Sequence, residues 1–160
     1  MAARLTDAEI AALIAEPTPL ATGWRAGLKL RPKRGHRERE LDLTGAAGNE
    51  FLVILRQNTI NVLDFSLILA VRVPGSTQLF RLRRYNGKSH EHTNHIEGNA
   101  FYDFHIHMAT ERYQDLGTRE DAYAEPTDRY ADFHGALQCL LQDTNLIQPP
   151  APQGTLFGED

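Results

Sequence analysis

Two apolar runs, Glu50–Gln57 (EFLVILRQ) and Asp64–Val73 (DFSLILAVRV), constrain the fold more than any other stretch. Their β-branched and aromatic content favours strands over helices, and a polar linker at 58–61 separates them. Pro74-Gly75-Ser76 then turns the chain. Residues 78–85 read as a further strand with Phe80 and Leu82 towards the core, and Asn86-Gly87 is a strong turn signal. From Tyr102 to Met108 the pattern alternates again. Tyr102, Phe104, Ile106 and Met108 point one way, and Asp103, His105 and His107 project together on the other face, because strand side chains repeat every two residues.

Upstream, Leu28 and Leu30 alternate with Lys29 and Arg31, a turn falls at 32–35, and 39–43 alternates once more, which gives a hairpin. Thr6-Asp7-Ala8-Glu9 is a capping box that starts a short helix, and Pro17 and Pro19 stop it. Phe133, Ala136, Leu137, Leu140 and Leu141 recur at helical spacing within a second helix over 129–145. Residues 109–127 are polar and read as an irregular loop with a short helical turn. The expected fold is α+β: an antiparallel β-meander of five to six strands with an N-terminal and a C-terminal helix packed on one face. Residues 1–147 form the single domain, and 148–160 a proline-rich disordered tail.

A chain of 160 residues suits one domain with a real core. No apolar run approaches the ~18 residues that span a bilayer, so no membrane partner is expected. The start, MAARLTDAEIAALIAE, lacks the pattern of a secretory signal. Cys139 stands alone in an apolar helical pattern, which suits a small core residue in a reducing cytoplasm.

The net charge of −4 is unevenly spread: residues 1–95 hold 14 Lys and Arg against 9 Asp and Glu, and residues 96–160 hold 3 against 12. Arg25, Lys29, Arg31, Lys33 and Arg34, with Arg81 and Arg83, are candidates for a phosphate-contacting surface that takes RNA. The competing reading is a solvated hairpin whose Lys and Arg protect a sheet edge.

Five of the seven histidines, His90, His92, His95, His105 and His107, fall within 90–107. Three readings are open. His105 and His107 with Asp103, or with His90 or His92, could bind a divalent, zinc-like metal and leave a position for water. Without a metal, His105 and His107 could act as general acid and base, completed by His90 and His92, while Arg84 contacts a phosphate of RNA. Or the imidazoles could tie a long loop to the sheet or lie at an interface.

The segments Arg84-Tyr85-Asn86, His90-Glu91-His92 and Phe104-His105-Ile106-His107 resemble the TumE-like toxins and related bacterial families of unknown function, over about Leu79 to Ile147. Asn86 stands where those families usually carry aspartate. The resemblance implies a toxin-like or defence-associated protein with a cognate antitoxin as partner. Gln153-Gly154-Thr155-Leu156-Phe157 resembles the peptide by which bacterial proteins bind the DNA sliding clamp, with Gln153, Leu156 and Phe157 as the matching residues. That implies the alternative function, a non-enzymatic adaptor or replication-associated protein.

Overall fold

The structure is a computed structural model that describes residues 4–25 and 30–150. Helix α1 (Asp7–Ala15) begins at the capping box: Thr6 Oγ1 accepts from the Glu9 amide at 3.0 Å and Glu9 accepts from the Thr6 amide at 2.9 Å. After it come β1 (Thr18–Pro19), β2 (Arg31–Lys33), β3 (His36–Thr44), β4 (Glu50–Asn58), β5 (Phe65–Arg72) and β6 (Leu79–Asn86). A small hairpin of β7 (His92–Thr93) and β8 (Ala100–Phe101) precedes β9 (His105–Met108), α2 (Glu111–Asp115), β10 (Tyr123–Pro126), α3 (Phe133–Asp143) and β11 (Leu146–Ile147).

The main sheet is an antiparallel meander of seven strands in the order β10-β9-β6-β5-β4-β3-β2. One strand exceeds the expected six. The short edge strand β2 is the first strand of the expected hairpin, with its turn to β3 at Arg34-Gly35 rather than over 32–35. The additional strand is β10, inside the segment expected to be irregular. It lacks apolar alternation and is held instead by pairing with β9, where Ala124 opposes His107 and Pro126 opposes His105. Strand β9 is also shorter than expected, because the chain bends at Asp103 and pairs only from His105.

Alternation decides which face is dry. Phe51, Val53 and Leu55 on β4 lie opposite Val71, Leu69 and Leu67 on β5, and Tyr85 lies opposite Leu67 and Ile106. These side chains form one core with Ile10 of α1 and with Ala136, Leu137, Cys139 and Leu140 of α3. Each such apolar side chain contributes about 2 kcal/mol on burial. Both long helices therefore cover one face, as the amphipathic patterns require. No helix among the described residues is long and apolar enough to cross a membrane.

The other face carries Glu38, Arg56, Ser66, Asn86 and His105 as successive register partners from β3 to β9. At the β6–β9–β10 end it is roofed by the β7–β8 hairpin. Asn86-Gly87 is not a hairpin turn. Asn86 ends β6, and the Gly87 and Lys88 amides donate to the carbonyls of Phe65 and Leu63 at 2.9 Å each. A Cβ on Gly87 would stand 1.8 Å from the Leu63 oxygen, so glycine is required here for close approach and not for a turn.

Candidate metal centre

Strand register places His105 and His107 on the face away from the helices, opposite Asn86 and Arg84 of β6. Both are buried, at 0% and 4% exposure. The β7–β8 hairpin sets His92 over them. Ring centroids are 4.8 Å apart for His92 and His107, 5.5 Å for His92 and His105, and 5.0 Å for His105 and His107. One ring nitrogen from each histidine lies within 4.8 Å of the other two.

The hydrogen bonds fix which nitrogen is which. His105 Nδ1 lies 2.8 Å from the Asp103 carbonyl oxygen, and His107 Nδ1 lies 2.7 Å from that of Asp121. A carbonyl oxygen only accepts, so both Nδ1 atoms carry the proton and both Nε2 atoms keep a lone pair. His92 Nε2 lies 2.9 Å from Asn94 Oδ1. That amide is oriented by its neighbours: Nδ2 donates to the Ala124 carbonyl at 2.7 Å and Oδ1 accepts from the Ala124 amide at 2.9 Å. His92 therefore donates through Nε2 and keeps its lone pair on Nδ1. An imidazole with one nitrogen tied to an oxygen acceptor and a lone pair on the other is the form in which histidine ligates a metal; at His105 that lone pair also faces Asn86 Nδ2 at 3.4 Å.

Electrostatics keeps the rings neutral. Burial pushes the His105 imidazolium down to about 4, against the opposing hydrogen bond to Asp103 and with help from the nearby His92 and His90. Burial, then Arg84, then His105 push His107 down to about 2. His92 is lowered too, again chiefly by burial.

A fully buried carboxylate adjoins the centre. Asp121 lies 3.1 Å from Arg84 Nε and 3.6 Å from Arg81 Nε, and Arg81 also meets Glu120 at 3.3 Å. From the helix side, the buried Tyr130 hydroxyl reaches the carbonyl oxygens of Asn86 at 2.7 Å and His105 at 3.0 Å, which ties β6 to β9 beneath the histidines.

Residues 5–146 match the family of unknown function DUF6978. The chain belongs to that family. No curated protein and no solved structure matches it. The DUF6978 match takes in the histidine centre and ends before residues 153–157.

Within this DUF6978 domain the candidate residues divide. His92, His105 and His107 come together. His90 is exposed at the mouth of the cluster, its ring centroid 5.5 Å from that of His105 and its Nδ1 3.2 Å from Ser89 Oγ. Asp103 is not among the clustered ligands, a correction to the expected alternation. At its bend Asp103 lines a surface cleft with Arg83 and Asp143, and its carbonyl accepts from His105 Nδ1. Arg81 and Arg83 do not form a joint basic surface either: Arg81 pairs with Glu120 and Asp121, while Arg83 lies 3.8 Å from Asp143. Arg25 stacks over Trp24 at 4.9 Å and bonds Gln148, and Arg31 and Arg34 are exposed. Lys29, the side chain of Lys33, and Gln153, Leu156 and Phe157 lie outside the described residues. Sequence reasoning missed Asn94, Asp121 and Tyr130. The period of a strand singles out none of them; the only hint at Asn94 was its place two residues after His92.

Proposed function

We propose that this chain is a metal-dependent hydrolase of phosphodiesters, with His92, His105 and His107 as the ligands of one zinc-like divalent ion. The observation that carries the proposal is the convergence of three imidazoles, each with one nitrogen committed to an oxygen acceptor. Nitrogens on one zinc at about 2.0–2.1 Å stand roughly 3.3 Å apart. The ring nitrogens lie within 4.8 Å of one another, so binding requires the half-buried His92 to move closer to His105 and His107. Two neutral, buried rings also favour ligation over a metal-free acid–base pair, which needs one of them protonated.

An ion held there supplies a Lewis acid and lowers the pKa of water towards neutrality. The other roles fall to the chain. Arg84, opposite His107 and steadied by Asp121, donates to the non-bridging oxygens of the phosphate. The water oxygen forms the new bond to phosphorus, the bond to the leaving oxygen breaks, and the proton lost by water ends on that leaving oxygen. His90, at the mouth, relays the proton.

The test is hydrolysis of bis(4-nitrophenyl) phosphate by the purified protein. The reading expects activity that a chelator removes and zinc or manganese restores. His107→Ala should lower it by more than the roughly 10–100-fold that loss of a supporting residue costs. Activity indifferent to chelator overturns the reading.

A further inference from the structure

A second polar site lies on the same sheet face. A cavity of about 390 Å³ is lined by Arg34, His36, Arg56, Asn58, Asp64 and Ser66. Two hydrogen-bond chains lead from it to the histidines. Ser66 Oγ donates to Asn86 Oδ1 at 2.9 Å, and Asn86 Nδ2 lies 3.4 Å from His105 Nε2. Ser89 Oγ donates to Asp64 at 3.2 Å and also meets His90, which packs on His105.

The cavity lining itself holds two guanidiniums, Arg34 and Arg56, and one carboxylate, Asp64. The Asp64 carboxylate is engaged by Ser89 and by Asn58, at 3.2 and 3.5 Å. Glu38, across from Arg56, faces His36 at 3.5 Å. Arg34 and Arg56 are exposed, and among the described residues no carboxylate pairs with either. The rim is the loop between Asn58 and Asp64, which holds Ile60, Val62 and Leu63 out at 93%, 53% and 38% exposure.

Arg56, Ser66, Asn86 and His105 are successive partners on four adjacent strands. Three strand spacings put Arg56 about 14 Å from His105, so a single phosphate cannot touch both. We propose that the face binds a short single strand of RNA. One phosphate lies at the histidine centre, the flanking phosphates lie on Arg56 and Arg34, sugar and base edges lie over Ser66 and Asn86, and an unstacked base rests against the Ile60–Leu63 rim. Cations that track a backbone beside an apolar platform are the usual means of holding single strands, and hydroxyl and amide groups suit the 2′-hydroxyl and base edges. This deepens the phosphodiester reading and rests on it for the placing of the scissile phosphate.

The test is fluorescence anisotropy with a labelled eight-nucleotide single-stranded RNA, run with a mononucleotide and with metal analysis of each protein. The combined Arg34→Ala and Arg56→Ala variant should bind the RNA at least tenfold more weakly than the unaltered chain. Its plot of log affinity against log salt should be shallower by about 1.4, the value for two lost phosphate contacts, with unchanged metal content. Equal affinity and slope in the variant, or a mononucleotide bound as tightly as the eight-mer, overturns the inference. A chain that carries no metal yet loses RNA affinity in the variant sinks the hydrolase reading and leaves the RNA subsite standing.

Discussion

His107 Nδ1 lies 2.7 Å from the main-chain oxygen of Asp121, whose own carboxylate lies 3.1 Å from Arg84. One residue thus sets the tautomer of a ligand through its backbone and the place of a cation through its side chain. The two roles separate in Asp121→Asn, which keeps the carbonyl and removes the charge. The variant should retain its metal. It should also lose about 3 kcal/mol of stability, because a largely buried guanidinium is left without its counter-ion. Urea unfolding and metal analysis of the same preparation read the two effects.

Asn94 clasps the β7–β8 hairpin to the edge of β10 through both the amide and the carbonyl of Ala124, and it accepts from His92. Asn94→Ala should leave His105 and His107 in place and release His92. Metal affinity is expected to fall about 10–100-fold, measured by competition with a chromogenic chelator. Unchanged affinity would mean that His92 is oriented by something other than this contact.

Much of the fold is legible in the residue pattern, and the reasons are local. Thr6 and Glu9 mark a helix start because the reciprocal bonds need only four consecutive residues. The run from Phe51 to Leu55 marks a strand through its β-branched and aromatic content. Strand β10 follows no such rule: it is defined by its partner β9 and by a side chain from a distant hairpin. The site divides along the same line. His105 and His107 share a face by strand periodicity, whereas the choice of His92 over His90 depends on the pairing of His92 with Phe101. Asp121 lies in a polar stretch, and only the folded positions of Arg84 and Arg81 make its burial tolerable.

Asp143 supplies the clearest dependence on pH. Burial alone would raise its carboxyl, but hydrogen bonds from Arg129 at 2.8 and 2.9 Å and from Tyr85 at 2.6 Å prevail and hold it below the usual range. A folded value beneath the unfolded one, near 3.9, gives stability that is complete above about pH 4 and lost as the pH falls further. The melting temperature should therefore drop on acidification below pH 4, and less steeply in Asp143→Asn. At neutral pH that variant should be about 1–2 kcal/mol less stable, allowing for the solvent around Arg129.

Elemental analysis of the purified chain tests the central claim most directly. About one zinc-like divalent ion per chain is expected, with less than a tenth of that in His107→Ala and in His105→Ala, each shown to be folded by circular dichroism. A chain that carries no transition metal after incubation with zinc and gel filtration, or one whose metal content is the same in both variants, would contradict the account.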